Sequence, residues 1–124
     1  MKPLVYLAGP MSGYPDHNRP AFHGAASVLR KIHGHTVVNP AELDDAQPLS
    51  PGDAYTDYYR RDLEYLRKAD MIVVLPGWQR STGATYEVAT MYNLLQCPVL
   101  EYPSLRKLKK DEIPQLTFKT NIVL

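Results

Sequence analysis

The sequence is short of most things that would specialise a small protein. It holds one cysteine, Cys97. That excludes an internal disulfide framework and a multi-cysteine zinc site, and it fits a reducing compartment. No apolar run approaches the ~20 residues that span a bilayer. The opening MKPLVYLAG enters a strand-like run without a signal-peptide layout, so a cytoplasmic location and no membrane partner are expected. There is no excess charge either: 14 Lys+Arg against 13 Asp+Glu give +1, so no strong field draws nucleic acid. At 124 residues the chain lacks the length for two lobes with a cleft between them. A domain this small has little chain left to wall a deep pocket, so part of any small-molecule site is expected to come from a second subunit.

Two residue types are abundant instead. Proline accounts for 11 residues, well above the usual ~5%. Nine aromatic residues are Tyr, against two Phe and one Trp. Tyrosine has an apolar body and a polar tip, so the chain is rich in walls that can also hydrogen-bond.

Along the chain, strand-like and helix-like patterns alternate. Residues 4–8 (LVYLA) form a buried-type run ended by Gly9-Pro10. Residues 20–33 place Phe22, Ala25, Ala26, Leu29 and Ile32 on one helical face, with Asn18 as N-cap and Gly34 as stop. A second strand is expected at 36–39, and a long loop over 40–53, where three prolines interrupt any period. Helices follow at 54–69 and 83–96. Strands follow at 71–75 and 99–102, and the terminal TFKTNIVL offers an edge strand. This order predicts a single α/β domain with a mostly parallel sheet of about five strands. Ligands of such sheets bind beyond the carboxyl ends of the strands, so the chemistry is expected in the loops there.

Two carboxylates stand out. At ~100° per residue, Tyr55, Tyr58, Tyr59, Leu63, Leu66 and Ala69 form an inward stripe, with Arg60, Arg61, Glu64, Arg67 and Lys68 opposite. Asp62 projects from the middle of the inward face. A carboxylate there needs a partner, a ligand or a raised pKa; a purely structural Asp paired with a buried Arg is the plain alternative. On the next helix, Glu87 lies at the edge of the apolar face, one turn in. The preceding Ser81 or Thr82 can cap that helix, and Gly83 lets a ligand approach a helix N-terminus that favours anions. A carboxylate pair can run glycosyl transfer, one attacking the anomeric carbon and the other handling the leaving group's proton. No His or third carboxylate has helical ligand spacing with either, so no metal or other cofactor is expected.

Three segments together carry a resemblance. Tyr6-Leu7-Ala8-Gly9-Pro10, Arg61-Asp62-Leu63 with Ala69-Asp70, and Ser81-Thr82-Gly83-Ala84-Thr85-Tyr86-Glu87 resemble the nucleoside 2-deoxyribosyltransferase-like family, over about residues 4–102 and not the tail. The nearest branch is a small one often found in phage genomes. The resemblance implies a flavodoxin-like or Rossmann-like three-layer sandwich and cleavage of the N-glycosidic bond of a nucleoside or nucleotide. Glu87 matches the nucleophile, Asp62 the carboxylate that contacts the base, and Tyr6 the tyrosine that orients the nucleophile. Ser81 stands six before the Glu, where relatives acting on nucleoside 5′-monophosphates have a phosphate-binding serine and those acting on free nucleosides an acidic residue. Gly9, Pro10, Met11, Ser12, Gly83 and Trp78 complete the expected substrate-binding set. The first loop departs from the hydrolase pattern, which tends to place a basic residue there; its first cation here is Arg19. The implied assembly is a homodimer or larger, with Tyr55, Tyr58, Tyr59, Tyr86 and Tyr92 as candidates for a shared interface.

Hydrolysis of a 5′-monophosphate is the leading reading. Base exchange between deoxynucleosides, a non-catalytic nucleotide-binding module and an NAD-directed glycohydrolase are the alternatives. Other residues read blandly: Asp70 as structural, Cys97 as buried and inert, the four His as surface groups, Arg80 as a solvated loop residue, and the basic cluster at 106–110 as a solvated face. Trp78 can stack on a base or simply pack, and a plain core role competes for Tyr6.

Overall fold

The computed structural model describes residues 3–46 and 55–115. Four strands run parallel: β1 (Leu4–Ala8), β2 (Thr36–Val38), β3 (Met71–Val74) and β4 (Val99–Glu101). A two-residue β5 (Arg106–Lys107) adds to β4 in antiparallel sense. The order is β2-β1-β3-β4-β5, the doubly wound flavodoxin-like arrangement. The helices are α1 (Arg19–Lys31), α2 (Pro40–Ala46), α3 (Tyr55–Leu66) and α4 (Thr82–Leu95). No helix among the described residues is long and apolar enough to cross a membrane.

The period of two along the strands makes the layers. In β1, Val5 and Leu7 join Phe22, Ala25 and Leu29 of α1 and Ala41 of α2 in one core. Tyr6 and Ala8 face the other way, into a second core with Leu66 of α3 and Ala84, Val88 and Met91 of α4. The central strands are buried on both faces, as continuous apolar runs require. The expected three-layer sandwich with a mostly parallel five-stranded sheet is what the chain forms. Asp70 is structural, as read: its Oδ2 accepts the Leu4 N–H at 2.7 Å, tying the start of β1 to the approach of β3.

Several expectations need correction. The loop expected over 40–53 begins as α2. Asn39 caps it, its Oδ1 accepting the Ala41 N–H at 3.0 Å, and Pro40 occupies the first helical position, where its missing N–H costs nothing. The proline starts this helix; it does not break one. Asn18 precedes α1 in a left-handed conformation (φ 62°), and its side chain does not cap the helix; its amide donates to the Pro10 carbonyl at 2.8 Å. Ile32 and Leu63, assigned to inward faces, are 73% and 40% exposed.

The fifth strand comes from Arg106–Lys107, whereas TFKTNIVL lies outside the described residues. The cations of the basic cluster, Arg106, Lys107, Lys109 and Lys110, are exposed as read, while Leu108 and Ile113 beside them are buried in the α4-side core. Residues 47–53 and the side chains of Tyr55, Tyr58, Tyr59 and Arg60 also lie outside what is described.

Candidate active site

β1 runs centrally between β2 and β3, and the chain crosses to opposite faces of the sheet after β1 and β3. Such a switch point opens a crevice beyond the strands' carboxyl ends. Here it holds a cavity of about 450 Å³. Gly9 and Met11 line it where the chain leaves β1. Gly9 is required there, since a Cβ would fall 2.9 Å from Leu75 Cβ.

Tyr6 reaches the cavity from the middle of β1. It is fully buried, and its hydroxyl donates to Glu87 Oε2 at 2.8 Å. Glu87 sits on the second turn of α4. Ser81 caps that helix, its Oγ accepting the Ala84 N–H at 3.1 Å, and the cap fixes the phase that turns Glu87 inward. Asp62 on α3 lines the same cavity, with its side chain 15% exposed. Arg61 holds it from the adjacent position, Nε to Oδ1 at 3.0 Å, and donates through Nη2 to Asp44 Oδ1 of α2 at 2.7 Å.

Burial dominates the electrostatics. It pushes the Glu87 carboxyl up to about 8, helped by the negative charge of Asp62 and opposed by the Tyr6 hydrogen bond. Asp62 is also raised by burial, with Arg61 pulling it back down. The Tyr6 hydroxyl is driven well above its ordinary value by burial and by both carboxylates, so it acts as a donor and not as an acid. These groups can present an oriented carboxylate to an electrophilic carbon, beside a second carboxyl able to exchange a proton.

Of the residues singled out from the sequence, Tyr6, Gly9, Met11, Ser12, Asp62, Ser81, Gly83 and Glu87 meet around the cavity. Two do not line it. Pro10 is buried, its carbonyl taken by Asn18. Trp78 is 4% exposed and packs in the core with Ala84 and Val88, so it cannot stack on a base here. The turn at Gly77 (φ 85°) directs the chain so that the indole enters the apolar layer.

Sequence reasoning missed Arg61 and Asp44. Helical spacing sent Arg61 to the solvent face, yet its side chain is only 9% exposed. Asp44 fell in the stretch read as loop. The one usable signal was the requirement that Asp62 find a partner. Arg19, His17 and Phe22 also reach the cavity wall, and Arg19 is itself paired with Asp45 at 2.7 Å. Among the described residues, no group of three or more His, Cys, Asp or Glu could hold a metal ion.

Comparison with solved structures finds the same fold in several chains, among them the following two. A 2-deoxyribosyltransferase from Bacillus psychrosaccharolyticus superposes with a TM-score of 0.64, at 24% identity over 97% of this chain and 89% of that one. A conserved protein from Enterococcus faecalis V583 gives a TM-score of 0.59, at 18% identity over 82% of this chain and 63% of that one. Both likenesses are of fold. Comparison with curated proteins gives no match. Residues 3–99 match a family model described as a domain of unknown function, DUF4406. Since that match spans well over half of the sequence, the chain belongs to the DUF4406 family.

Proposed function

We propose that this protein hydrolyses the N-glycosidic bond of a nucleoside 5′-monophosphate, with a 2′-deoxy sugar as the favoured substrate. The single observation that carries this is the buried Tyr6–Glu87 hydrogen bond in a cavity that Asp62 also lines. Glu87 attacks C1′ as the C1′–N bond breaks, and the bonding electrons leave with the base. Asp62 binds the base and supplies its proton. Water then gives a proton to the Asp62 carboxylate and attacks C1′ of the glycosyl ester, returning the Glu87 carboxylate and a sugar 5-phosphate. Tyr6 supports the ionised form of Glu87 by donating to it.

The 5′-phosphate fits the start of α4. The Ser81 oxygen accepts from Ala84, which leaves its O–H to donate. The first N–H groups of a helix have no carbonyl partner within it, and Gly83, near the start of α4, lines the cavity. An acidic residue at position 81 would repel a phosphate; serine does not.

A second reading, transfer of the deoxyribosyl group to another base, is supported by the name of the Bacillus psychrosaccharolyticus neighbour. Assembly into a dimer or larger belongs to the same proposal, with Leu63 of α3 and Tyr86 of α4 (50% exposed) as apolar surface available for it. The test is incubation with ribo- and deoxyribonucleosides and their 5′-monophosphates, with and without a second free base. Free base and sugar phosphate from the deoxymonophosphates are expected. A new nucleoside or nucleotide carrying the added base would favour transfer. A thermal shift without turnover would favour a binding module, and no response to any compound would defeat the proposal.

A further inference from the structure

Arg61 is almost withdrawn from solvent and holds two carboxylates from different helices. Adjacent residues on a helix point roughly 100° apart and do not normally face each other. The Arg61–Asp62 pair is therefore not a default of helix geometry; the guanidinium must turn back along α3 to make it. Asp44 of α2 supplies the reason. It grips Nη2 at 2.7 Å, which leaves Nε aimed at Asp62 Oδ1 at 3.0 Å. All three residues line the cavity. The pairs Arg30–Glu42 and Arg67–Glu64 are more exposed and solvent-screened, so they have no comparable hold on a site.

We infer that Arg61, clamped by Asp44, is the positioning residue for Asp62, so that α2 and α3 jointly set the orientation of the carboxyl that meets the departing base. Oδ1 is committed to the guanidinium, and the Tyr6 hydroxyl also steadies the Asp62 carboxyl. Lysine cannot replace Arg61, because a single ammonium does not hold two carboxylates in a fixed fork. Asp44 orients Asp62 through Arg61, while its charge also raises the Asp62 carboxyl directly. This inference rests on the reading of Asp62 as the base-contacting carboxyl.

The test uses the full chain and the variants R61M, R61K, D44N and R61M/D44N, each checked for folding by circular dichroism. On a deoxynucleoside monophosphate, R61M is expected to lower kcat about 100-fold, the effect of roughly 1 Å of misplacement, with little change in KM. R61K should recover only part of that loss. D44N should lose less than R61M, and R61M/D44N should be no worse than R61M alone, since the two act as one unit. Losses that simply multiply in the double variant, or a kcat for R61M within about two-fold of the wild type, would overturn the inference. If the wild type turns over no substrate, the glycosidase reading fails, and the positioning role is read directly from the 13C titration of the Asp62 carboxyl. Losing the guanidinium should then raise its apparent pKa in R61M, and an unmoved titration would overturn the inference.

Discussion

Two carboxylate clusters in this protein are shifted in opposite directions. Glu87 is buried and pushed up to about 8. Glu112, on the surface, is drawn down to about 2 by hydrogen bonds from Arg106 and from the Lys109 N–H. Glu101 is likewise lowered by Arg106. The residue types are the same and the dominant causes differ: desolvation at the cavity, hydrogen bonding to a cation at the surface. The lesson concerns where chemistry is placed. The surface cluster satisfies its charges locally and has nothing left to do. The cavity raises both carboxyls by burial, opposed by one phenol and one guanidinium.

Replacing Glu87 should break the comparison most severely. Glu87→Gln keeps the shape and an acceptor for Tyr6 but removes the nucleophile, so base release should fall by more than about 10⁴-fold, as when a covalent nucleophile is lost. Its effect on stability runs the other way. The folded pKa of Glu87 lies above its ordinary 4.5, so the unfolded state ionises first and wild-type stability falls as pH rises between about 4.5 and about 8. Glu87→Gln should therefore melt higher than wild type at pH 8, by on the order of 1 to 4 kcal/mol, with the gap closing toward pH 4. Thermal melts across that range check it; a variant less stable at pH 8 would contradict the burial account.

Tyr6→Phe ranks next. Removing one donor at the reacting centre should cost roughly 10- to 1,000-fold in kcat/KM. It also removes the bond that lowers the Glu87 pKa, so the rising limb of the kcat/KM profile should move to higher pH. An unshifted limb would mean that Tyr6 only packs.

Ser81→Asp sharpens the phosphate reading. It keeps a good helix cap, so melting should change little. Turnover of the monophosphate should drop by about 10-fold or more relative to the free nucleoside, because like charges repel at the helix start. An unchanged ratio would remove position 81 from phosphate recognition.

The smallest effect belongs to the surface. Glu112→Gln should shift Tm by about 2 °C or less at pH 7 and leave activity unchanged. The Glu112 pKa is depressed, so whatever stability it adds is present above about 4.5 and lost as pH falls toward about 2.

Most of the fold was legible because strands buried on both faces read as short continuous apolar runs closed by turn residues, while the helices carry a period near 3.6. The runs LVYLA and MIVVL became β1 and β3 almost to the residue. Asp62 and Glu87 were legible as carboxylates leaning toward apolar helix faces, whereas Tyr6 stood out only through the family resemblance. The misses share one physical cause: long side chains and prolines have more than one use. Pro40 punctuates loops but also opens helices. Arg61 sits at a solvent-facing helical angle, yet its stem is long enough to bring the guanidinium back into the cavity. Trp78 follows a turn, and nothing local says that the turn points it inward. Tertiary contacts with α2 decided the second case, and they are invisible to any reading of α3 alone.

The central claim is that Glu87 becomes covalently attached to the sugar. Rapid quenching of the wild-type protein with a reactive deoxynucleoside monophosphate, followed by peptide mass spectrometry, tests it most directly. The account predicts a mass gain equal to the sugar phosphate residue on the peptide containing Glu87, absent from Glu87→Gln, alongside release of free base. Base released at the same rate by wild type and Glu87→Gln, with no adduct on that peptide, would contradict it.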